Sequence, residues 1–426
     1  MTVTETHRSI DAVWRIESAR VIAGLTRMVH DVGLAEELAQ DALVAALEQW
    51  PNEGVPRNPG AWLMTAAKRR AIDRFRRQER LARKHQEIAH DLEIQQGSDG
   101  RDIDAALDGQ IEDDLLRLMF ISCHPILKTE ARVALTLKLL GGLGTGEIAR
   151  AFLVSESTVA QRIVRAKRAL ADEQVPFEVP APNELPQRLA SVLEAIYLIF
   201  NEGYSATAGD DWMRPELCAE ALRLGRILVG LMPREPEVHG LVALMEIQAS
   251  RTAARTDAAG EMILLLEQNR TRWDHLAIRR GLAALDVAEA LAPVRGTYAM
   301  QAALAACHAR ARTPDDTDWA RIAALYEELA ERDDSPIVAL NRSVALSMAF
   351  GPAAGLEVVD RLVADGALRG YHLLPSVRGD LLVKLGRYAE AEAEFTAAAS
   401  MTKNERERVL LTERAEDCKA RIDARD

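Results

Sequence analysis

The chain has 426 residues, of which 48% are hydrophobic and 28% charged, and its formal net charge is −12. This is an ordinary soluble composition, too long for one domain, so two to four units with sizeable cores are expected. The four cysteines form no CxxC pair and no stretch approaches the ~18–20 apolar residues of a bilayer span, so the composition offers no zinc site, disulfide framework or membrane segment. Alanine and leucine dominate, aromatics make up only 4%, and apolar residues recur at i, i+3 and i+4 almost throughout, which predicts an all-α chain.

In chain order, the first feature is AEELAQDALVAALEQW (Ala35 to Trp50), where Glu36 with Gln40 and Glu37 with Asp41 stand at i, i+4 and so share a helix face. GAWLMTAAKRRAIDRFRRQERLARKH follows, and here charge reverses locally. From Arg57 to Lys84 there are ten Lys/Arg against Asp73 and Glu79. Pro59 to Arg77 reads as one helix on which Trp62, Leu63, Ala66, Ala67, Ile72 and Phe75 pack, while Lys68, Arg69, Arg70, Arg74, Arg76 and Arg77 project charge. Such a face binds phosphates by displacing counterions, with a log–log salt slope of ~0.9 per phosphate on duplex DNA. Residues 85–114 then carry ten acids against Arg101 around a QQGSDG centre, which reads as a flexible acidic linker.

GLGTGEIARAFLVSESTVAQRIVRAKRAL (Gly142 to Leu170) has the grammar of a helix-turn-helix. Thr145 is the expected cap of the first helix, Phe152 to Val154 the turn, and Ser155 the cap of the second. Val159, Ile163 and Ala166 face inward. Ser157, Thr158, Gln161, Arg162 and Arg165 face out, and these side-chain types bond base edges and phosphates in a major groove. VPFEVPAPNELP (Val175 to Pro186) has four prolines and predicts an extended spacer that no helix crosses. Within the remainder, GDLLVKLGRYAEAEAEFTAAA (Gly379 to Ala399) matches the tetratricopeptide pattern, with Gly379, Gly386, Tyr388, Ala391, Phe395 and Ala398 at the small and aromatic positions. Gly351 precedes Gly386 by 35 residues, and Ile322 and Tyr326 precede Leu356 and Asp360 by 34, close to one repeat.

This order of parts resembles a sigma factor of the extracytoplasmic-function (ECF) class over about residues 8–173, and CHPIL with the helix-turn-helix is similar to the subgroup that carries a long C-terminal extension. The resemblance implies two small helical sigma domains, the second a helix-turn-helix, followed by a tetratricopeptide-like helical domain. It places sigma region 2 at 8–84, the acidic linker at 85–110, region 4 at 111–173, the Pro-rich spacer at 174–186 and the extension at 187–426, with repeats clearest at 299–400. Glu36, Glu37, Gln40 and Asp41 would then meet the beta-prime clamp helices of core RNA polymerase. Trp62, Lys68, Arg69, Arg70, Arg74, Arg76 and Arg77 would grip the −10 element of promoter DNA by stacking and backbone charge. Ser155, Ser157, Thr158, Gln161, Arg162 and Arg165 would read the −35 element. Many members carry Asn where Arg69 stands and Gly where Leu153 stands, and a left-handed Leu153 would cost ~1 kcal/mol.

No catalysis, cofactor or metal is expected. Cys123 and His124 read as helix-end packing before Pro125, and the acids Glu202, Asp210, Asp211 and Glu267 come with no nucleophile or phosphate loop. The FNEGYSA stretch (Phe200 to Ala206) reads as a helix end in which Tyr204 fills a gap, or as a contact loop. The chain is expected to be a cytoplasmic monomer, with a protein or peptide partner, or its own sigma domains, against the repeats. The alternative is a helix-turn-helix regulator with a tetratricopeptide sensor, binding duplex operators without joining polymerase. Such a protein has no need of the Ala35–Trp50 docking stretch.

Overall fold

In the computed structural model the described residues are 3–89, 111–204, 213–257, 263–332, 335–402 and 405–424. Among them there are eighteen α-helices and no strand. Two compact units divide at Met245/Glu246. The acidic stretch 90–110 lies outside the described residues.

The first unit opens with α1 (Val3–Val29), α2 (Val32–Glu53) and α3 (Pro59–Ala89), which pack on one another. Asp31 caps α2, its Oδ1 accepting from the Leu34 N–H at 2.8 Å. Ala35, Ala39, Ala42, Ala45 and Ala46 are all buried, and their small size lets α1 and α3 approach α2 closely. Then come α4 (Ile111–Ser122), α5 (Thr129–Leu139), α6 (Thr145–Ala151) and α7 (Glu156–Asp172). Val159, Ile163, Ala166 and Leu170 make the buried stripe of α7, the inward set expected from the sequence with one residue more.

No helix crosses residues 174–184. Beyond them α8 (Leu185–Tyr204) and α9 (Pro215–Leu231) form a hairpin that packs on α4 and α5, and α10 (Pro236–Ala249) spans the division between the units. Gly203 is needed where α8 meets α9, since a Cβ there would stand 2.6 Å from the Cys218 nitrogen.

The second unit continues with α11 (His275–Leu291), α12 (Thr297–Arg310), α13 (Trp319–Ala330), α14 (Pro336–Phe350), α15 (Pro352–Ala364), α16 (Leu373–Lys384), α17 (Tyr388–Met401) and α18 (Glu405–Asp423). Each packs chiefly on its neighbours in sequence. Gly351 and Gly386 both have positive φ, 96° and 74°, and sit at matching turns of the α14–α15 and α16–α17 hairpins. A Cβ on Gly379 would lie 2.8 Å from the Phe395 ring, so the α16–α17 approach depends on a residue without one. Arg378 ties α15, α16 and α17 together through Asp360 at 2.8 Å and Glu394. Near the start of the unit, Arg270 is 7% exposed. It donates to the main-chain oxygens of His308 (2.7 Å) and Ala311 (2.8 Å) and to Thr317 Oγ1 (3.1 Å), with its guanidinium 5.1 Å from the Trp273 ring centroid.

Candidate nucleic-acid interface and docking face

Glu37, Gln40 and Asp41 stand exposed along α2. Glu36, one turn from Gln40, does not: it is 4% exposed, its carboxylate held by Lys138 Nζ (3.5 Å) from α5, by Lys167 from α7 and by the Gln40 amide. Glu37 pairs with Arg74 on α3 at 3.2 Å, and both side chains remain largely in solvent, where such a pair is worth ~1 kcal/mol or less.

On α3 the buried stripe is Leu63, Ala67 and Ala71. Ile72 and Phe75, expected to pack, are instead 42% and 38% exposed. Burial along α3 ends at Ala71 and every described side chain after it is exposed, so the helix runs past the body formed with α1 and α2 and its apolar positions there have no core to meet. The helix also continues beyond Arg77, to Ala89. Trp62 stands edge-on to buried Trp50, with ring centroids 5.3 Å apart. Between α2 and α3 lies a groove of about 720 Å³ whose wall includes Gln49, Trp62, Thr65, Arg69 and Arg70. Lys68 and Arg70 are half-buried, while Arg69, Arg74, Arg76 and Arg77 are exposed. A cationic helix beside an aromatic-walled groove can hold a phosphate backbone and stack or enclose an unpaired base.

At the helix-turn-helix the cap of α6 is Gly144 rather than Thr145, which is the first helical residue. The Gly144 N–H donates to Glu147 Oε2 at 2.7 Å, so the carboxylate three residues on satisfies the helix start without a hydroxyl. Ser155 caps α7 as expected, accepting from the Thr158 N–H at 3.2 Å. Its hydroxyl also bonds those of Ser157 (2.9 Å) and Thr158 (2.7 Å), which gathers three hydroxyls at the start of the second helix. Gln161 and Arg165 are exposed and Arg162 is half-buried. Leu153 keeps the left-handed turn, with φ 48°. Behind Arg162 a cavity of about 270 Å³ is walled by Phe152, Val159 and, from α8, Leu198.

Nothing in the sequence announces how α8 and α9 support this half. Arg132 on α5 pairs with Glu194 on α8 at 3.0 Å. Arg188 on α8 donates to the Phe120 main-chain oxygen (3.2 Å), and Arg223 on α9 to that of Leu140 (2.5 Å). The apolar stripe Leu189, Val192, Leu193, Ile196, Ile199 and Phe200 is legible as a buried helix face, but its partner is not. An arginine bonding a distant main-chain carbonyl has no sequence signature at all.

Cys123, His124, Glu202 and Tyr204 have structural partners. Cys123 is buried, bonded to Thr136 Oγ1 (3.2 Å), and burial pushes its thiol up to about 11. His124 accepts from the Ile126 N–H at 3.2 Å, and burial with nearby Arg188 lowers its pKa to about 4. Glu202 pairs with Arg214, and Tyr204 stacks on Phe200 with ring centroids 5.6 Å apart within α8. Glu267 is exposed, and Asp210, Asp211, Ser205 and Ala206 lie outside the described residues. Among the described residues no group of three metal-capable side chains gathers, and no helix is long and apolar enough to cross a membrane.

The chain matches sigma-70 region 2 over residues 15–81, sigma-70 region 4 over 117–170, and a family of unknown function (DUF6596) over 188–289. It is 42% identical to the uncharacterized protein R00370 of Rhizobium meliloti (strain 1021), over 92% of each chain. It is 28% identical to the probable ECF RNA polymerase sigma factor SigI of Mycobacterium tuberculosis, over 43% of this chain and 61% of that protein. To the ECF RNA polymerase sigma factor SigK of Mycobacterium ulcerans it is 29% identical, over 35% of this chain and 78% of that protein.

Proposed function

The chain belongs to the sigma-70-type sigma factors of the extracytoplasmic-function class that carry a C-terminal extension, and on that premise we propose that it joins core RNA polymerase in the cytoplasm and directs initiation at a specific set of promoters. The observation that carries this is the pairing of two DNA-suited faces in one compact unit. One is the cationic α3 beside its aromatic-walled groove, the other the hydroxyl- and arginine-bearing outer face of α7. In this reading the exposed Glu37, Gln40 and Asp41 meet the clamp helices, joined by Glu36 once Lys138 and Lys167 no longer cover it. Trp62, Lys68, Arg69, Arg70, Arg74, Arg76 and Arg77 grip the −10 element, and Ser155, Ser157, Thr158, Gln161, Arg162 and Arg165 read the −35 element. The protein supplies binding and positioning and no chemistry of its own.

The extension serves two ends in this reading. Its first hairpin, α8–α9, completes the −35-reading half by burying α4 and α5. The later helices form a tetratricopeptide-like stack that offers a surface for a protein or peptide partner, supported by the matching glycine turns at 351 and 386 and the Gly379–Phe395 approach.

The test is binding of the full chain to bacterial core polymerase, followed by run-off transcription. A stable complex that initiates from a defined promoter set is expected, and Glu37→Lys with Asp41→Lys should abolish the complex while leaving duplex DNA binding intact. Sequence-specific DNA binding with no polymerase complex would sink the sigma reading in favour of an operator-binding regulator.

A further inference from the structure

Of the acids on α2, Glu36 alone is enclosed, and what encloses it comes from the other end of the unit. Lys138 lies on α5, at the floor of the helix-turn-helix, and Lys167 on α7, the helix whose outer face is suited to the major groove. The two cations are themselves mostly covered, with 16% and 20% of their side chains exposed against 5% for Glu36. The same two halves meet elsewhere. Arg15 on α1 pairs with Glu147 on α6 at 2.8 Å, and Arg27 on α1 with Asp114 on α4 at 3.3 Å. Gly142, with φ 65°, brings the α5–α6 turn so near α1 that a Cβ there would sit 2.8 Å from Ser18 Oγ.

We infer that Glu36 with Lys138 and Lys167 is a latch that holds the region-4 half across the polymerase-docking helix, so that this half and core polymerase compete for the same face of α2. The inference rests on the sigma reading of α2. A partner that recognises a row of acids presents cations to it, and Lys138 and Lys167 already fill that role for Glu36. Lys167 also reaches it from the helix that must be free to enter a major groove. Docking through Glu36 therefore requires the halves to part, and parting releases Lys167 alongside the recognition face. The free chain is in this way a closed form, and its apparent affinity for polymerase is reduced by the fraction of molecules that are open.

The geometry offers a direct lock. A Cβ built on Gly33 lies 4.0 Å from Lys167 Cβ, inside the range a disulfide spans. In the full-length Gly33→Cys/Lys167→Cys variant, oxidation should close a 33–167 bond, verified by peptide mapping. The oxidised protein should lose at least tenfold in affinity for core polymerase, and reductant should restore it. Oxidised protein that binds as well as reduced protein would refute the latch, and so would failure of the bond to form, because the halves would not then be held together. If the reduced protein and the parent chain both fail to bind, it is the sigma reading that falls, and the latch with it. A second variant needs no cross-link: Lys138→Gln/Lys167→Gln should bind polymerase on the order of tenfold more tightly than the parent, through a larger open fraction. Equal or weaker binding would overturn the competition.

Discussion

Replacing Arg270 with Met should loosen one part of the second unit far more than a single side chain usually does. The guanidinium serves the last turn of α12 and the segment after it, where carbonyls have no partner inside the helix. Its three bonds go to His308 O at 2.7 Å, Ala311 O at 2.8 Å and Thr317 Oγ1 at 3.1 Å. Methionine fills much of the volume beside Trp273 but leaves two main-chain acceptors buried without that donor, at ~1–3 kcal/mol each. A loss of about 3–4 kcal/mol follows, or two to three powers of ten in the local opening equilibrium at ~1.4 kcal/mol per decade. Hydrogen exchange of peptides covering α11 to α13 reads this in the intact chain, and Arg270→Lys should fall between the parent and Arg270→Met. A change of less than about threefold in protection would show that water or neighbouring groups satisfy those carbonyls, and the reasoning would fail.

Other outcomes can be checked with equal economy. Ser155→Ala removes the α7 cap and should cost about 1 kcal/mol in urea unfolding, and on the proposed reading it should also weaken duplex binding by the outer face of α7. Gly379→Ala drives a Cβ into the Phe395 ring and should destabilise the second unit by ~1–3 kcal/mol, which thermal melting would show. His308 has its pKa lowered to about 4 by burial and then by Arg251 and Arg270, from an ordinary 6.5. Its neutral form thus supports the fold fully above 6.5, and that support is lost as pH falls through 4. Stability should drop over this window and drop less in His308→Phe, with the ring's proton titration by NMR as the direct check. Finally, a 1–245 chain should be a folded monomer, whereas 1–175 should aggregate for want of α8 and α9. A monomeric 1–175 with native helix content, by gel filtration and circular dichroism, would contradict the packing described.

What the sequence disclosed, and what it hid, follows from range. The stripe Val159, Ile163 and Ala166 is a local periodicity, and so is the spacing of the turn glycines 351 and 386, which is why both are legible, Leu170 being added to the stripe by the structure. Ser155 announced itself as a cap because a hydroxyl before a helix acts on its own next turn, whereas Gly144 did not, since the group that satisfies it belongs to Glu147. Ile72 and Phe75 fit the helical pattern of α3, but pattern says nothing about where the partner body stops. Glu36 reads as one more surface acid in a polar row, and only the arrival of Lys138 and Lys167 from more than a hundred residues away makes it a buried one. The arginines on Phe120 O and Leu140 O are hidden for the same reason.

The helices of the second unit pack chiefly on their neighbours in sequence, and the α14–α15 and α16–α17 hairpins turn on the same kind of glycine, Gly351 and Gly386. A chain organised in this way can change length by whole hairpins while each remaining one keeps its own contacts. Related proteins are then free to differ in the number of stacked pairs, and so in the reach and curvature of the surface they offer, without any change to the half of the molecule that handles DNA.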